Sequence, residues 1–141
     1  MSATSSAIKD YLSPLVGQKL TLLERHEFSW SFAFAGVATL TVEGPWRVRS
    51  AEAIVLSSLD HEQKFGLPEP VDVQAGARQK ILGKPIREIF SRDGEGDLTV
   101  GFDGALVFQA FNLSTGYEAW KISKPQGATL ISKGGGRLEF F

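Results

Sequence analysis

The 141-residue sequence predicts a single mainly β (α+β) domain, built of two duplicated antiparallel β half-domains. Apolar residues alternate with polar ones in many short runs, and Gly, Pro and Asp residues separate these runs. The second half also repeats the order of patterns found in the first. We place this internal repeat at residues 5–59 and 72–141, joined by a loop at 60–71, with one short helix before about five strands in each half.

In the first half, Ser5 or Ser6 is expected to cap a short helix over 7–12 that ends near Pro14. Period-two alternation, as in the SWSFAF run, then predicts strands, because alternate side chains of a strand face the same side of a sheet. These strands are predicted at 19–25, 29–34, 38–42, 46–49 and 54–56.

In the second half, apolar residues at helical spacing predict a helix over 73–82, with Gly83 as its stop. The pattern of 16–20 then returns at 82–86, and that of Trp46 returns at Trp120. Asp-Gly between the alternating runs on either side of Gly104 is a hairpin signal. Short loops between successive strands favour antiparallel pairing, so two antiparallel sheets related by a pseudo-twofold axis are expected, either packed on each other or continued into each other.

The most distinctive local chemistry is the segment GYEAW, which brings together Tyr117, Glu118 and Trp120. Tryptophans at equivalent positions in two halves are typically core residues, while exposed ones would suit stacking on sugars or bases. Glu118 is either a structural or solvent-facing carboxylate, or a general acid that needs a second carboxylate such as Asp97 or Asp103 nearby. Both alternatives stay open.

A second candidate region is the irregular, polar loop DHEQKFGLPEP at 60–70. His61 beside Asp60 is either a polar loop residue or an oriented base. A polar loop between two similar halves is also a common place for a binding function. We therefore include Asp60, His61, Gln63 and Phe65 among the candidate binding residues.

Several site classes lack their defining residues. The chain has no cysteine, which excludes disulfides, thiolate chemistry and cysteine-based zinc sites. It has no H-E-x-x-H or G-x-S-x-G motif. The acidic run 93–97 lacks the glutamate that would complete a calcium loop, and the glycines at 134–136 lack phosphate-loop spacing, so both are predicted to be turns. No catalytic residue, metal or cofactor is expected.

The formal net charge of -1 makes nucleic acid an unlikely partner, since nonspecific nucleic-acid binding needs clustered Lys and Arg. No run approaches the roughly 18 apolar residues of a membrane span. The first residues lack the charged and apolar regions of a secretory signal. The sequence thus predicts a cytoplasmic protein without membrane contact.

The chain resembles a group of small bacterial proteins classed as a domain of unknown function. The resemblance is carried by the runs Gly96-Asp97-Leu98, Gly116-Tyr117-Glu118 and Gly134-Gly135-Gly136, together with Phe102, Gly104 and Trp120. Trp46-Arg47-Val48 and the Asp60–Gly66 loop extend it over most of the chain. The resemblance brings no catalytic residues, but proteins of this kind are often encoded beside polymorphic toxins, which implies an immunity role.

Three functions are therefore compatible with the sequence. The first is a non-enzymatic protein-binding module, such as a toxin-neutralising immunity protein. The second is a small-molecule or carbohydrate binder or hydrolase that uses Tyr117, Glu118 and Trp120 with Asp60 and His61, which requires these groups to converge in one pocket. The third is a structural homodimer that pairs through a sheet edge.

Overall fold

The computed structural model describes residues 3–141, and in that range the chain forms two antiparallel sheets and two helices. The predicted mainly β, α+β class is therefore confirmed. The helices are α1 (Ser5–Leu12) and α2 (Val73–Ile81). The strands are β1 (Leu20–Arg25), β2 (Trp30–Phe34), β3 (Ala38–Val42), β4 (Trp46–Arg49), β5 (Ile54–Ser57), β6 (Ile86–Ser91), β7 (Leu98–Phe102), β8 (Leu106–Ala110), β9 (Trp120–Ser123), β10 (Leu130–Lys133) and β11 (Arg137–Phe140).

The two halves of the chain are intertwined. One sheet has the strand order β1-β2-β3-β9-β10-β11, and the other has the order β5-β4-β8-β7-β6. Each sheet thus joins the first three strands of one half to the last strands of the other, so the predicted half-domains do not form separate sheets. Strands β3 and β8 would otherwise leave open edges, and a strand from the opposite half covers each of them.

The two segments that share a pattern at 16–20 and 82–86 meet in space. The N–H of Gly17 donates to the carbonyl of Ile86, and the N–H of Gly83 donates to the carbonyl of Leu20, each at 2.7 Å. Reciprocal contacts of this kind are those made around a twofold axis. The two sheets are therefore joined at the beginnings of β1 and β6, around an approximate twofold axis. A common origin of the two halves stays a prediction.

Each helix begins at a polar cap. Thr4 Oγ1 accepts from the N–H of Ala7, so α1 begins at Ser5, earlier than predicted, and its cap is Thr4 instead of Ser5 or Ser6. The carboxylate of Asp72 accepts from the N–H of Ala75 and caps α2. Within residues 3–141, neither helix is long and apolar enough to cross a membrane.

The helices close the open sides of the sandwich formed by the sheets. Helix α2 packs on the edge strand β1, where Gln74 accepts from the backbone N–H of Arg25 at 2.7 Å. Arg78 Nε donates to the carbonyl of Leu23 at 2.8 Å. Side chains of α2 therefore satisfy backbone groups that an edge strand leaves unpaired. Helix α1 packs on β6, an edge strand of the five-stranded sheet.

Aromatic side chains fill the space between the sheets. Trp46 packs against Trp30, Phe32 and Phe108 with ring centroids 5.0, 5.5 and 5.4 Å apart. Trp46 and Trp120 are each only 1% exposed. Both tryptophans are therefore core residues, which decides between the two alternatives that the sequence left open.

Candidate functional site

Two connections carry the chain from one sheet to the other at the same end of the sandwich. The first, residues 43–45, follows β3 and has three residues, whereas the second, residues 111–119, follows β8 and has nine. They run beside each other: the N–H of Phe111 donates to the carbonyl of Pro45 at 3.0 Å, and that of Gly44 to the carbonyl of Ala119 at 3.0 Å. We call residues 111–119 the long connection.

The long connection is held by its own polar side chains. Ser114 Oγ accepts from the N–H groups of Gly116 and Tyr117 at 3.1 and 2.9 Å. The carbonyl of Ser114 also accepts from the N–H of Gly135 at 2.7 Å, which places the predicted glycine turn against the connection. Such local bonds fix a turn that carries no regular secondary structure.

Asn112 ties the long connection to both neighbouring turns. Its backbone N–H donates to the carboxylate of Asp97 at 2.8 Å. Its side-chain amide donates to Ser132 Oγ and to the carbonyl of Lys133, each at 2.8 Å. The base of the connection therefore has little freedom to move.

Gly96 lies where these turns meet. Its carbonyl accepts from the indole N–H of Trp120 at 2.7 Å and from the hydroxyl of Ser132 at 2.8 Å. Its φ is +75°, and a Cβ there would lie 2.8 Å from the Cα of Gly136. Only glycine fits this position without displacing backbone. Gly96, Trp120, Ser132 and Gly136 thus pack together where the turns meet.

A groove of about 370 Å³ opens beside the long connection. Three large apolar side chains at it are almost fully exposed: Phe28 by 80%, Leu113 by 79% and Tyr117 by 82%. The remaining lining residues are Glu43, Gly44, Pro45, Phe111, Asn112, Ser114, Glu118 and Ala119. We call this site the crossover groove.

The aromatic ring of Phe111 is fixed in the crossover groove. The guanidinium of Arg47 lies over this ring, 5.0 Å from its centroid. Arg47 Nε in turn donates to Gln109 Oε1 at 2.9 Å. A cation over one face of the ring, itself oriented by a neighbour, keeps the apolar lining in place.

Only carboxylates contribute charge to the lining. Glu43 and Glu118 line the groove, and no Lys, Arg or His does so. They come close because β3 and β9 are neighbours: Val42 pairs with Trp120, and the N–H of Glu43 donates to the carbonyl of Ala119 at 2.9 Å. Among the ion pairs of residues 3–141, none includes either carboxylate.

The predicted GYEAW residues separate into two groups. Tyr117 and Glu118 line the crossover groove, but Trp120 lies in the core, with its N–H bound to Gly96. A stacking platform at this position would therefore consist of Tyr117 and Phe28 instead of Trp120. Phe28 and Leu113 were missed by sequence reasoning. Each is a single large apolar residue in a segment with turn character, and because such residues are common on protein surfaces, the sequence carries no signal that marks them as binding residues.

His61 has a structural role in the loop at 60–71, which we call the linker. Its Nδ1 accepts from the backbone N–H of Val73 at 3.1 Å, and its ring lies 5.3 Å from that of Trp30. Its Nε2 lies 3.8 Å from the carboxylate of the exposed Glu62. His61 therefore joins the start of α2 to the core, where one of the first N–H groups of the helix needs an acceptor.

The other candidate residues of the linker do not line the crossover groove. Asp60 and Gln63 accept through their carbonyls from the N–H groups of Gln63 and Val71, at 3.0 and 2.8 Å, which closes the loop on itself. Phe65 is 67% exposed, with φ of +50°. The structure thus brings Tyr117 and Glu118 to one groove without Asp60, His61, Gln63, Phe65 or Trp120.

The acidic run at 93–97 forms a turn in which two of the three carboxylates bind backbone. Asp93 accepts from the N–H of Leu138 at 2.8 Å, and Asp97 accepts from that of Asn112. Within residues 3–141, no group of three or more His, Asp or Glu side chains is placed to hold a metal ion.

A larger cleft of about 680 Å³ lies between α1 and β6. Its lining mixes cations and carboxylates, including Lys9, Arg92 and Glu95, and Arg92 pairs with Glu95 at 3.5 Å. Phe90 is the only lining residue among the large apolar side chains that are exposed in the described part of the chain. We therefore regard the smaller crossover groove as the better candidate site.

Tyr11 and Lys124 form a third cluster, away from the groove. The one hydroxyl proton of Tyr11 is shared between the carbonyls of Ala128 and Ile122, at 2.6 and 3.0 Å, and Lys124 Nζ donates to the carbonyl of Tyr11 at 2.6 Å. Burial raises the pKa of Tyr11 above its usual 10.0 and lowers the pKa of Lys124 below its usual 10.5. All these bonds end on backbone carbonyls, so the cluster ties α1 to the end of β9.

No protein-family model matches the chain, and comparison with curated proteins and with solved structures finds no significant similarity.

Proposed function

We propose that this protein is a non-enzymatic protein-binding module and that the crossover groove is its contact surface. The observation that supports the proposal most strongly is the exposure of Phe28, Leu113 and Tyr117 beside one groove. Contiguous exposed apolar side chains with a polar rim are typical of protein interaction sites.

The way in which these side chains are held also supports binding. Asn112 and Ser114 anchor the connection that carries Leu113 and Tyr117. A surface that is fixed before binding loses less conformational entropy when a partner docks. Burial of one such side chain contributes about 1.5–3 kcal/mol, and Tyr is among the residues most common at binding hot spots.

The test is a quantitative capture from native lysate of the source organism with the immobilised protein. One variant combines Leu113→Ser with Tyr117→Ser. The matched control combines Phe65→Ser with Leu67→Ser, which removes the same kind of exposed apolar surface from the linker, where these residues are 67% and 54% exposed. We expect one protein to be retained in stoichiometric amount by the wild type and by the control, and to fall at least about tenfold with the groove variant.

Equal retention by the groove variant, or loss in the linker control alone, would show that the contact surface is elsewhere. Capture of no stoichiometric protein would also count against the proposal. A second copy of this chain as the partner gives a different result, namely a concentration-dependent sedimentation coefficient that the groove variant abolishes.

A finer proposal is that the partner is a toxin that this protein neutralises. It rests on the resemblance to small bacterial proteins that are often encoded beside toxins. Expression of the neighbouring reading frame should then arrest growth, and co-expression of the wild type should restore it. Rescue by the Phe65→Ser, Leu67→Ser control but not by the groove variant would support both proposals together. If expression of the neighbouring reading frame does not affect growth, the toxin assignment fails and the binding proposal remains.

A further inference from the structure

From the chemistry of the crossover groove, we infer the class of segment that it binds: a peptide segment of the partner with a large apolar side chain flanked by Lys or Arg. This inference rests on the proposed function, because it specifies the occupant of the same groove.

The apolar part of the occupant follows from the lining. The exposed side chains of Phe28, Leu113 and Tyr117 line the groove, together with Pro45 and Phe111. The groove holds about 370 Å³, enough for one or two large apolar side chains and too little for a folded element. A short segment of the partner therefore enters with an apolar anchor.

The basic part follows from the two carboxylates. Glu43 and Glu118 supply all the charge of the lining, and neither takes part in an ion pair within residues 3–141. Arg47 contacts the lining residue Phe111, but its guanidinium lies over that ring and donates to Gln109. Two uncompensated carboxylates beside an apolar surface favour a cationic ligand and oppose an acidic one.

The experiment compares three acetylated and amidated hexapeptides against the full-length, ¹⁵N-labelled protein. Their sequences are Gly-Lys-Leu-Phe-Lys-Gly, Gly-Glu-Leu-Phe-Glu-Gly and Gly-Lys-Ser-Ser-Lys-Gly. Amide shifts are followed at Gly44, Leu113 and Tyr117. We expect the first peptide to shift these amides with an affinity at least about fivefold higher than either of the others, and this preference to weaken as salt screens the carboxylates.

Variants then separate charge from shape. Glu43→Gln with Glu118→Gln should abolish most of the preference for the Lys peptide over the Glu peptide. The matched control, Glu52→Gln with Glu69→Gln, makes the same change in net charge at two exposed residues outside the groove and should keep the preference. An equal loss in both variants would show a nonspecific charge effect and overturn the inference.

The outcomes distinguish this inference from the proposed function. If the Lys and Glu peptides shift the groove amides with equal affinity, the inference of a basic segment is overturned, but the groove remains a binding surface. If no peptide shifts the groove amides, the inference fails, and the capture experiment with the groove variant then decides separately whether the groove binds a protein at all.

Discussion

The two connections between the sheets perform the same task with different means. The connection at 43–45 crosses with three residues, and the one at 111–119 uses nine. The short one lends Glu43, Gly44 and Pro45 to the groove lining, and none of these is a large apolar side chain held in solvent. The long one fixes its ends by hydrogen bonds and holds Leu113 and Tyr117 in solvent. Candidate function thus lies where two equivalent parts of the fold differ, because the fold itself does not require the additional residues.

The same contrast holds for the two tryptophans that follow these connections. The indole N–H of Trp120 donates to the carbonyl of Gly96, whereas the indole N–H of Trp46 is buried with no partner within residues 3–141. The turn that brings Gly96 over Trp120 spans 92–97, while its counterpart spans only 26–29 and leads directly into the buried Trp30. The longer turn and the longer connection therefore pack together as one unit.

The largest expected effect on stability comes from a substitution at Gly96, where the longer turn and the longer connection pack together. Gly96→Ala should lower the free energy of unfolding by about 3 kcal/mol or more, because its Cβ would meet the backbone of Gly136 and its φ is +75°. The control is Gly36→Ala, with nearly the same φ of +73° but open space around a Cβ, which should cost about 1 kcal/mol. Urea unfolding measures both, and equal losses would mean that close packing at Gly96 is unimportant.

Removal of each indole in turn sharpens the comparison of the tryptophans. Trp120→Phe should cost about 3 kcal/mol, from lost volume and a lost hydrogen bond. Trp46→Phe should cost about 1 kcal/mol less, since it also removes a buried N–H that has no partner. Chemical denaturation with matched m-values is the measurement. A larger loss for Trp46→Phe would contradict the assignment of these bonds.

A smaller effect compares the two tyrosines. Tyr11→Phe removes a hydroxyl whose one proton is shared between two backbone carbonyls and should cost about 1–2 kcal/mol near pH 7, whereas Tyr117→Phe should leave stability unchanged. Because burial raises the pKa of Tyr11, its contribution is complete below pH 10.0 and is lost as the pH rises through the raised value. Lys124, whose pKa is lowered, acts in the opposite sense and gains stability as the pH rises towards 10.5.

The measurement is the unfolding midpoint between about pH 9 and about pH 11. Tyr11→Phe should remove the alkaline decline that the wild type shows above pH 10.0, and Lys124→Met should make the wild-type decline steeper. An alkaline decline that persists unchanged in Tyr11→Phe would contradict the burial of this hydroxyl.

The smallest expected effect is the most informative for function. Tyr117→Ser should change the free energy of unfolding by less than about 0.5 kcal/mol, since the side chain is 82% exposed. Asn112→Ala, which removes anchors of the same connection, should cost about 1–2 kcal/mol. The comparison separates residues that hold the groove from residues that are available to a partner. A large loss of stability in Tyr117→Ser would show that Tyr117 helps to hold the groove.

The sequence predicted the strands and both helices well, because period-two alternation and helical spacing are local signals. It also predicted that Gly83 would follow the second helix and that Trp46 and Trp120 occupy equivalent positions in the two halves. The exchange of strands between halves was not predictable in this way, since alternation shows which face is buried but not which strand is the neighbour. Phe28 and Leu113 escaped notice for a related reason: a single apolar residue in a turn becomes meaningful only when the fold brings a second one beside it.

The intertwined strand order has a consequence for synthesis on the ribosome. Strand β3 is made early, but its partner β9 begins at Trp120, so the edge of β3 stays open until most of the chain has emerged. Strands β4 and β5 likewise wait for β8 before they have a sheet to join. Native structure therefore forms late and largely in one step, from contacts between residues distant in sequence. Nascent chains that stop before Trp120 carry an unpaired strand edge, which is open both to chaperone binding and to aggregation.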